Sequence, residues 1–175
     1  YDMKYLNKYT NYIAENSKND PIPEVTMNNG KLAIILMGTP GVGKSYFTQN
    51  YIQHKNRNIK IFSTDDVSLL YTKDPNRFKE GSAEINMKRI RVYIKSGGSF
   101  IYDTTGTHKQ NVKEVIGLSR DNGYDVIFIH LMGTLDMSLR QNSQRNRNVD
   151  IDYLKYSYKT QSKNMKFYSD LNPDK

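Results

Sequence analysis

The sequence contains no cysteine. Disulfides and thiolate zinc sites are therefore excluded, which fits a reducing compartment. No apolar run approaches membrane-spanning length. Residues 1–20, YDMKYLNKYTNYIAENSKND, are polar and contain acids, unlike the apolar segment of a secretory leader. Internal repeats are missing too, as is low complexity beyond a richness in asparagine and lysine. The expectation is a soluble protein of the cytoplasm with no membrane partner.

Its 175 residues suit one domain with a core of its own. The formal charge is +8 and is unevenly spread. Residues 1–30 hold three bases and four acids, whereas residues 31–133 hold fifteen bases and nine acids. The last stretch, 134–175, holds eight bases and five acids. Such a balance suits polyanionic partners, nucleotides and nucleic acid among them.

Residues 1–30 read as a helical extension and linker, with Leu6, Tyr9 and Ile13 on one face and a break at Asp20-Pro21-Ile22-Pro23. Beyond it, residues 31–175 alternate between strand and helix signals. Strands are expected at 31–37, 59–62, 99–102 and 124–132. Helices are expected at 44–54, 66–71, 80–96, 109–122, 135–145 and 151–168. Alternation of this kind predicts an α/β fold: a four-stranded parallel sheet flanked by helices. Ligands then bind beyond the carboxyl ends of the strands.

After the first strand stands Gly38-Thr39-Pro40-Gly41-Val42-Gly43-Lys44-Ser45, which matches the phosphate-loop pattern G-x-x-x-x-G-K-[ST]. Its amides can turn inward on phosphate oxygens at the positive end of a helix. All eight residues are candidates for ATP binding. Lys44 would contact the β- and γ-phosphates, and Ser45 would ligate Mg2+.

A kinase also needs a base for its acceptor. Ser63-Thr64-Asp65-Asp66 ends the second strand, where an acceptor could approach the γ-phosphate. Asp65 is the candidate base; Asp66 is a candidate for substrate contact or for capping the next helix. Spacing alone does not decide which of the two faces the site. Asp103 ends the third strand, the position of an acid that holds Mg2+ directly or through water. Thr104 and Thr105, beside it, are candidates for substrate contact.

Near the C-terminus, LRQNSQRNR (139–147) places three arginines in a short span. Residues 134–149 read as a helical lid from which an arginine could reach a bound triphosphate. His54, His108 and His130 are scattered, with no metal spacing. His130 reads as structural and His108 as a weaker site candidate. Tyr153, Tyr156 and Tyr158 read as packing residues.

Together these segments make residues 31–168 resemble the 5′-hydroxyl polynucleotide kinase domain of phage-type end-repair enzymes. The loop GTPGVGKS resembles that family's Gly-x-Pro-Gly-Ser-Gly-Lys-Ser. Thr64-Asp65-Asp66 looks like its Arg-Asp-Asp motif, and Tyr102 to Thr105 is similar to its Ser-Asp-Thr segment. LRQNSQR (139–145) is similar to its lid sequence Val-Lys-Arg-Asn-Ser-Lys-Arg, and residues 149–158 resemble its closing helix. The resemblance implies a P-loop kinase fold with ATP and Mg2+. It makes Asp65 the general base and Arg145 the lid arginine, catalytic and ATP-binding. Implied too are a DNA or RNA 5′ end as acceptor, a phage or bacterial cytoplasmic setting, and an additional repair domain or partner protein. Two positions depart from the family. Thr64 stands where it has an arginine, and Ser68 replaces the arginine that contacts the acceptor's 3′-phosphate; Arg77 and Arg91 are the candidate substitutes. Two alternatives follow: a kinase for a nucleoside, nucleotide, modified DNA base or sugar, and an ATP-controlled binding module.

Overall fold

The computed structural model describes residues 30–53, 59–71, 79–144 and 148–171. The extension expected over residues 1–30 lies outside them except for Gly30, and His54, Arg77, Arg145 and Arg147 lie outside them as well. Four strands form the sheet: β1 Leu32–Met37, β2 Lys60–Ser63, β3 Phe100–Thr104 and β4 Asp125–His130. The helices are α1 Lys44–Phe47, α2 Thr64–Tyr71, α3 Lys79–Ser96, α4 Lys109–Asp121, α5 Leu135–Ser143 and α6 Ile151–Asp170.

All strand pairs are parallel, in the order β2-β3-β1-β4. Every side chain of β1 is buried, as its unbroken apolar run predicts for a strand covered on both faces. Alternation sends its residues to opposite sides. Ala33, Ile35 and Met37 join Phe62, Phe100, Ile90 and Ile94 of α3, Val112 and Val115 of α4, and Tyr168 of α6. Leu32, Ile34 and Leu36 pack instead with Val42, Phe47 and Leu131. Each fully buried aliphatic or aromatic side chain contributes about 1.5–3 kcal/mol.

The strand order creates a switch point. From β1 the chain runs through α1, on one face, to the edge strand β2. After β3 it runs through α4, on the other face, to the opposite edge strand β4. Because β1 and β3 are neighbours, the two exits open a crevice between their carboxyl ends. Leu36 pairs with Asp103, and Asp103 with Ser63, so three strand ends meet there.

Element boundaries differ modestly from expectation. The helix expected over 44–54 is α-helical only to Phe47; Thr48–Ile52 continues it as a π-helical turn, with the Gln53 N–H donating to the Thr48 carbonyl at 2.9 Å. Helix α2 starts at Thr64, two residues early, because the Ser63 hydroxyl accepts the Asp66 N–H at 3.1 Å. Asp66 is therefore not the cap. Helix α4 closes as a Schellman motif: the N–H groups of Gly123 and Tyr124 reach the carbonyls of Arg120 and Ser119. No described helix is long and apolar enough to cross a membrane.

Candidate active site

A cavity of about 460 Å³ occupies the crevice. Four loop residues line it: Pro40, Gly41, Lys44 and Ser45. Opposite stand Ser63, Thr64 and Asp65 from the start of α2, and Asp103, Thr104 and Thr105 from the end of β3.

The loop takes its shape from one close approach. Gly41 has φ +87°, in the left-handed region, and a Cβ there would lie 2.7 Å from the Ser138 carbonyl oxygen. Only glycine lets α5 sit so near. Beside it, the buried hydroxyls of Thr39 and Ser138 meet at 3.2 Å, which ties the loop to α5 a second time. Val42 turns its side chain into the core, and Gly43 caps α1. Thr39 and Val42 can thus offer a ligand only their backbone, while Gly38 donates its N–H to the Thr104 carbonyl.

Lys44 donates to the carbonyls of Gly38 at 2.7 Å and Thr39 at 3.3 Å. Its Nζ lies 3.8 Å from Asp103, with both side chains largely buried. A lysine folded back along its own loop is placed where successive phosphates would lie. The Ser45 hydroxyl and Asp103 carboxylate border the same cavity and are hard oxygen donors. Mg2+ typically takes one or two protein oxygens of this type and fills its octahedron with water and phosphate. The pair fits that requirement, although no cluster of three or more ligating side chains occurs among the described residues.

Asp65 lines the cavity and Asp66, one residue on, does not. Both belong to the first turn of α2, where negative charge is favourable. The helix turns about 100° between them, so the two carboxylates cannot share one direction.

The segment after Asp103 is held by α6. Gln161, Asn164 and Tyr168 donate to the backbone carbonyls of Thr105, Gly106 and Thr107, the shortest being Tyr168 to Gly106 at 2.6 Å. Gly106 needs its positive φ of 72° and its missing Cβ, which would strike the Met37 sulfur. Within the turn, the Thr104 hydroxyl accepts the Gly106 N–H, and the Thr105 and Thr107 hydroxyls meet at 3.0 Å. The two threonines expected to touch substrate thus line the cavity while also building this turn. Burial pushes the Tyr168 phenol up to about 12, as expected for a neutral hydrogen-bond donor.

Of the three arginines between 140 and 147, Arg140 alone falls within the described residues. Helix α5 stops at Ser143, before Arg145 and Arg147. Arg140 is exposed and pairs with Asp136 at 3.0 Å. Arg91 pairs with Glu114 at 2.6 Å, away from the cavity lining, so it does not substitute for an arginine at position 68. Ser68 itself is buried and donates to Ser82 at 2.8 Å.

Several lining residues were not anticipated as site residues. Tyr153 borders the cavity rather than merely packing, and Val149 and Asn111 join it. Tyr156 is exposed. His108 lines the cavity as well. The clamp residues leave one sequence trace: polar groups at 161, 164 and 168, at helical spacing on what proves to be a buried face.

His130 is buried, and neither ring nitrogen has a hydrogen-bond partner at ordinary distance among the described residues. Burial pushes its pKa down; the nearby Gln161 opposes that, and the Lys44 charge adds to it. The neutral imidazole is the folded form, so protonation favours unfolding. Its stabilisation is full above the ordinary histidine value of about 6.5 and declines as pH falls below it, by up to about 1.4 kcal/mol per pH unit. The urea midpoint should therefore drop between pH 7 and 5, with a smaller drop in His130→Gln. An identical acid profile in that variant would refute the assignment.

Comparison with known proteins agrees with this geometry. The L-seryl-tRNA(Sec) kinase of Methanococcus maripaludis is 24% identical over 130 residues, covering 73% of this chain and 51% of that protein. A chain of the Pnkp1/Rnl/Hen1 RNA repair complex superposes with a TM-score of 0.63 at 15% identity, over 85% of this chain and 49% of its own. A chain of the AvrRxo1-ORF1:ORF2 complex with ATP gives a TM-score of 0.66 at 15% identity, over 82% of this chain and 51% of its own. The chain thus spans about half the length of each. At such identities the two structures share the fold. The model of the AAA domain family AAA_33 matches residues 34–166. With its phosphate loop and four-stranded parallel sheet in place, the chain belongs to that family and has the P-loop kinase fold.

Proposed function

We propose that this kinase transfers the γ-phosphate of ATP to the 5′-hydroxyl of a polynucleotide, DNA or RNA, as in end repair. One observation carries the reading: Asp65 borders the same cavity as Lys44, Ser45 and Asp103, so an acceptor hydroxyl can meet a carboxylate beside the phosphate site. The lid and closing-helix resemblance and the +8 charge support a nucleic-acid acceptor.

In this mechanism the loop amides and Lys44 hold the triphosphate. Ser45 and Asp103 would hold Mg2+, which would supply charge neutralisation on the phosphates. Asp65 takes the proton as the 5′-oxygen bonds to the γ-phosphorus, and the bond to the bridging oxygen of ADP breaks. Arg145, assigned by the resemblance, neutralises the transferring group. Asp66, in the first turn of α2, does not line the cavity and has no catalytic step in this reading. Thr104 and Thr105 shape the acceptor wall. Both solved relatives are complexes, which supports a partner protein or further repair domain here.

The test is direct. A 5′-hydroxyl oligonucleotide incubated with γ-labelled ATP and Mg2+ should acquire label at its 5′ end, and none should appear without metal. Failure to label any DNA or RNA end would end this reading. A second reading keeps the chemistry and changes the acceptor to a small hydroxyl compound. It draws on Ser68, buried against Ser82 where the resemblance expects an arginine. Nucleosides and sugars in the same assay separate the two.

A further inference from the structure

The exposed face of α6 carries a run of cations that the reaction does not use. Lys155, Lys159, Lys163 and Lys166 recur at spacings of four, four and three, so they share one side of the helix. All four are exposed, while Leu154, Ser157, Gln161, Asn164 and Tyr168 form the buried side. No acid interrupts residues 153–169; Asp152 and Asp170 stand at the two ends.

On other helices several cations are paired with acids. Lys88 pairs with Glu84, Arg91 with Glu114 and Arg140 with Asp136. None of the four α6 lysines forms an ion pair among the described residues. Four unpaired like charges along one face repel one another, and an external polyanion relieves that repulsion.

The helix is also fixed relative to the cavity. Tyr153 lies on the cavity wall, and Gln161, Asn164 and Tyr168 grip the 105–107 segment. The row from Lys155 to Lys166 therefore lies on the outer side of the helix whose inner side holds the cavity segment, and it extends for about 16 Å along it, at 1.5 Å per residue. That is the length of several nucleotides at about 3.4 Å each.

We infer that the lysine face of α6 is a track for the phosphate backbone of a nucleic-acid strand whose end lies in the cavity. This rests on the polynucleotide reading above and extends it: the acceptor is a chain gripped at several phosphates, not a terminal nucleotide alone. Contacts of this type position a strand without reading its sequence.

The test uses a 3′-fluorescein-labelled, 5′-hydroxyl single strand and fluorescence anisotropy over a range of KCl concentrations. In the Lys155→Gln/Lys159→Gln/Lys163→Gln/Lys166→Gln variant, the slope of log affinity against log salt should become shallower by about 3, at 0.7 per lysine. Affinity at low salt should fall by at least about tenfold. ATP affinity should not change. Neutralising Lys60, Lys95 and Lys113, exposed elsewhere, should leave the slope nearly intact. An unchanged slope in the α6 variant overturns the track, as does an equal loss in the control variant. So does α6-dependent binding to phosphatidylserine vesicles with no effect on the oligonucleotide. Loss of strand binding without any 5′ transfer would sink the proposed acceptor while the track stands. Transfer with an unaltered KM for the strand would do the reverse.

Discussion

Asp65→Asn should lower phosphate transfer by about 10² to 10⁴-fold while leaving ATP affinity near that of the unaltered protein. The amide keeps the size of the carboxylate but loses its charge and its capacity to take a proton. Asp65 is exposed at the start of α2, so the fold tolerates the exchange, at a cost of about 0.3–1 kcal/mol for lost charge near a helix N-terminus. Asp66→Asn incurs the same helix-end cost without the loss of transfer, because Asp66 does not line the cavity. The pair of variants thus separates catalysis from helix electrostatics. Single-turnover transfer and calorimetric ATP titration are the measurements. Full activity in Asp65→Asn would remove Asp65 from the base role.

Gly41→Ala should disable the phosphate loop through geometry rather than charge. The new Cβ would stand 2.7 Å from the Ser138 carbonyl oxygen, on a residue held at φ +87°. A left-handed non-glycine residue costs about 1–3 kcal/mol before any clash is counted. Relief requires the loop to withdraw from α5, which breaks the Thr39–Ser138 hydrogen bond. The melting temperature should fall by several degrees, at about 2–4 °C per kcal/mol for a domain of this size. ATP affinity should fall at least about tenfold, the equivalent of one lost charge-assisted contact. Because the obstacle is a backbone oxygen, Ser138→Gly cannot rescue the variant. Rescue by that second change would show that the hydroxyl, not the backbone, is the constraint.

Much of the fold was readable along the chain because the signals are local. The run LAIILM can hardly be anything but a strand buried on both faces, and it is one. Lys109 to Asn122 followed by Gly123 reads as a helix with its closing turn, and the structure ends α4 at Asp121 with that turn. The π-helical turn after Phe47 carried no such signal, nor did Ser63 as the cap of α2. Asp66 and Ser63 are both capping residues by type, and only the pairing of β2 with β3 sets where the strand stops and the helix starts.

The site was legible in its parts and not in its assembly. A glycine-spaced loop ending in Lys44-Ser45 implies phosphate binding wherever it is met, since its chemistry lies in consecutive residues. An acid at the end of an apolar strand, Asp103, is nearly as local. Asp65 against Asp66 was not decidable, because one residue is a turn of about 100° on a helix whose phase the neighbours set. Tyr153 and the Gln161–Asn164–Tyr168 clamp read as ordinary helix until α6 was seen to cross the β3 exit. The sequence by itself thus determined the phosphate-loop pattern and which strand ends carry polar residues beside it. Tertiary structure decided which carboxylate lines the cavity, which helix grips the segment after Asp103, and which side of α6 is left exposed. The division is physical: hydrogen bonds within a loop are written in adjacent residues, whereas the direction of a side chain across a crevice depends on elements far apart in the chain.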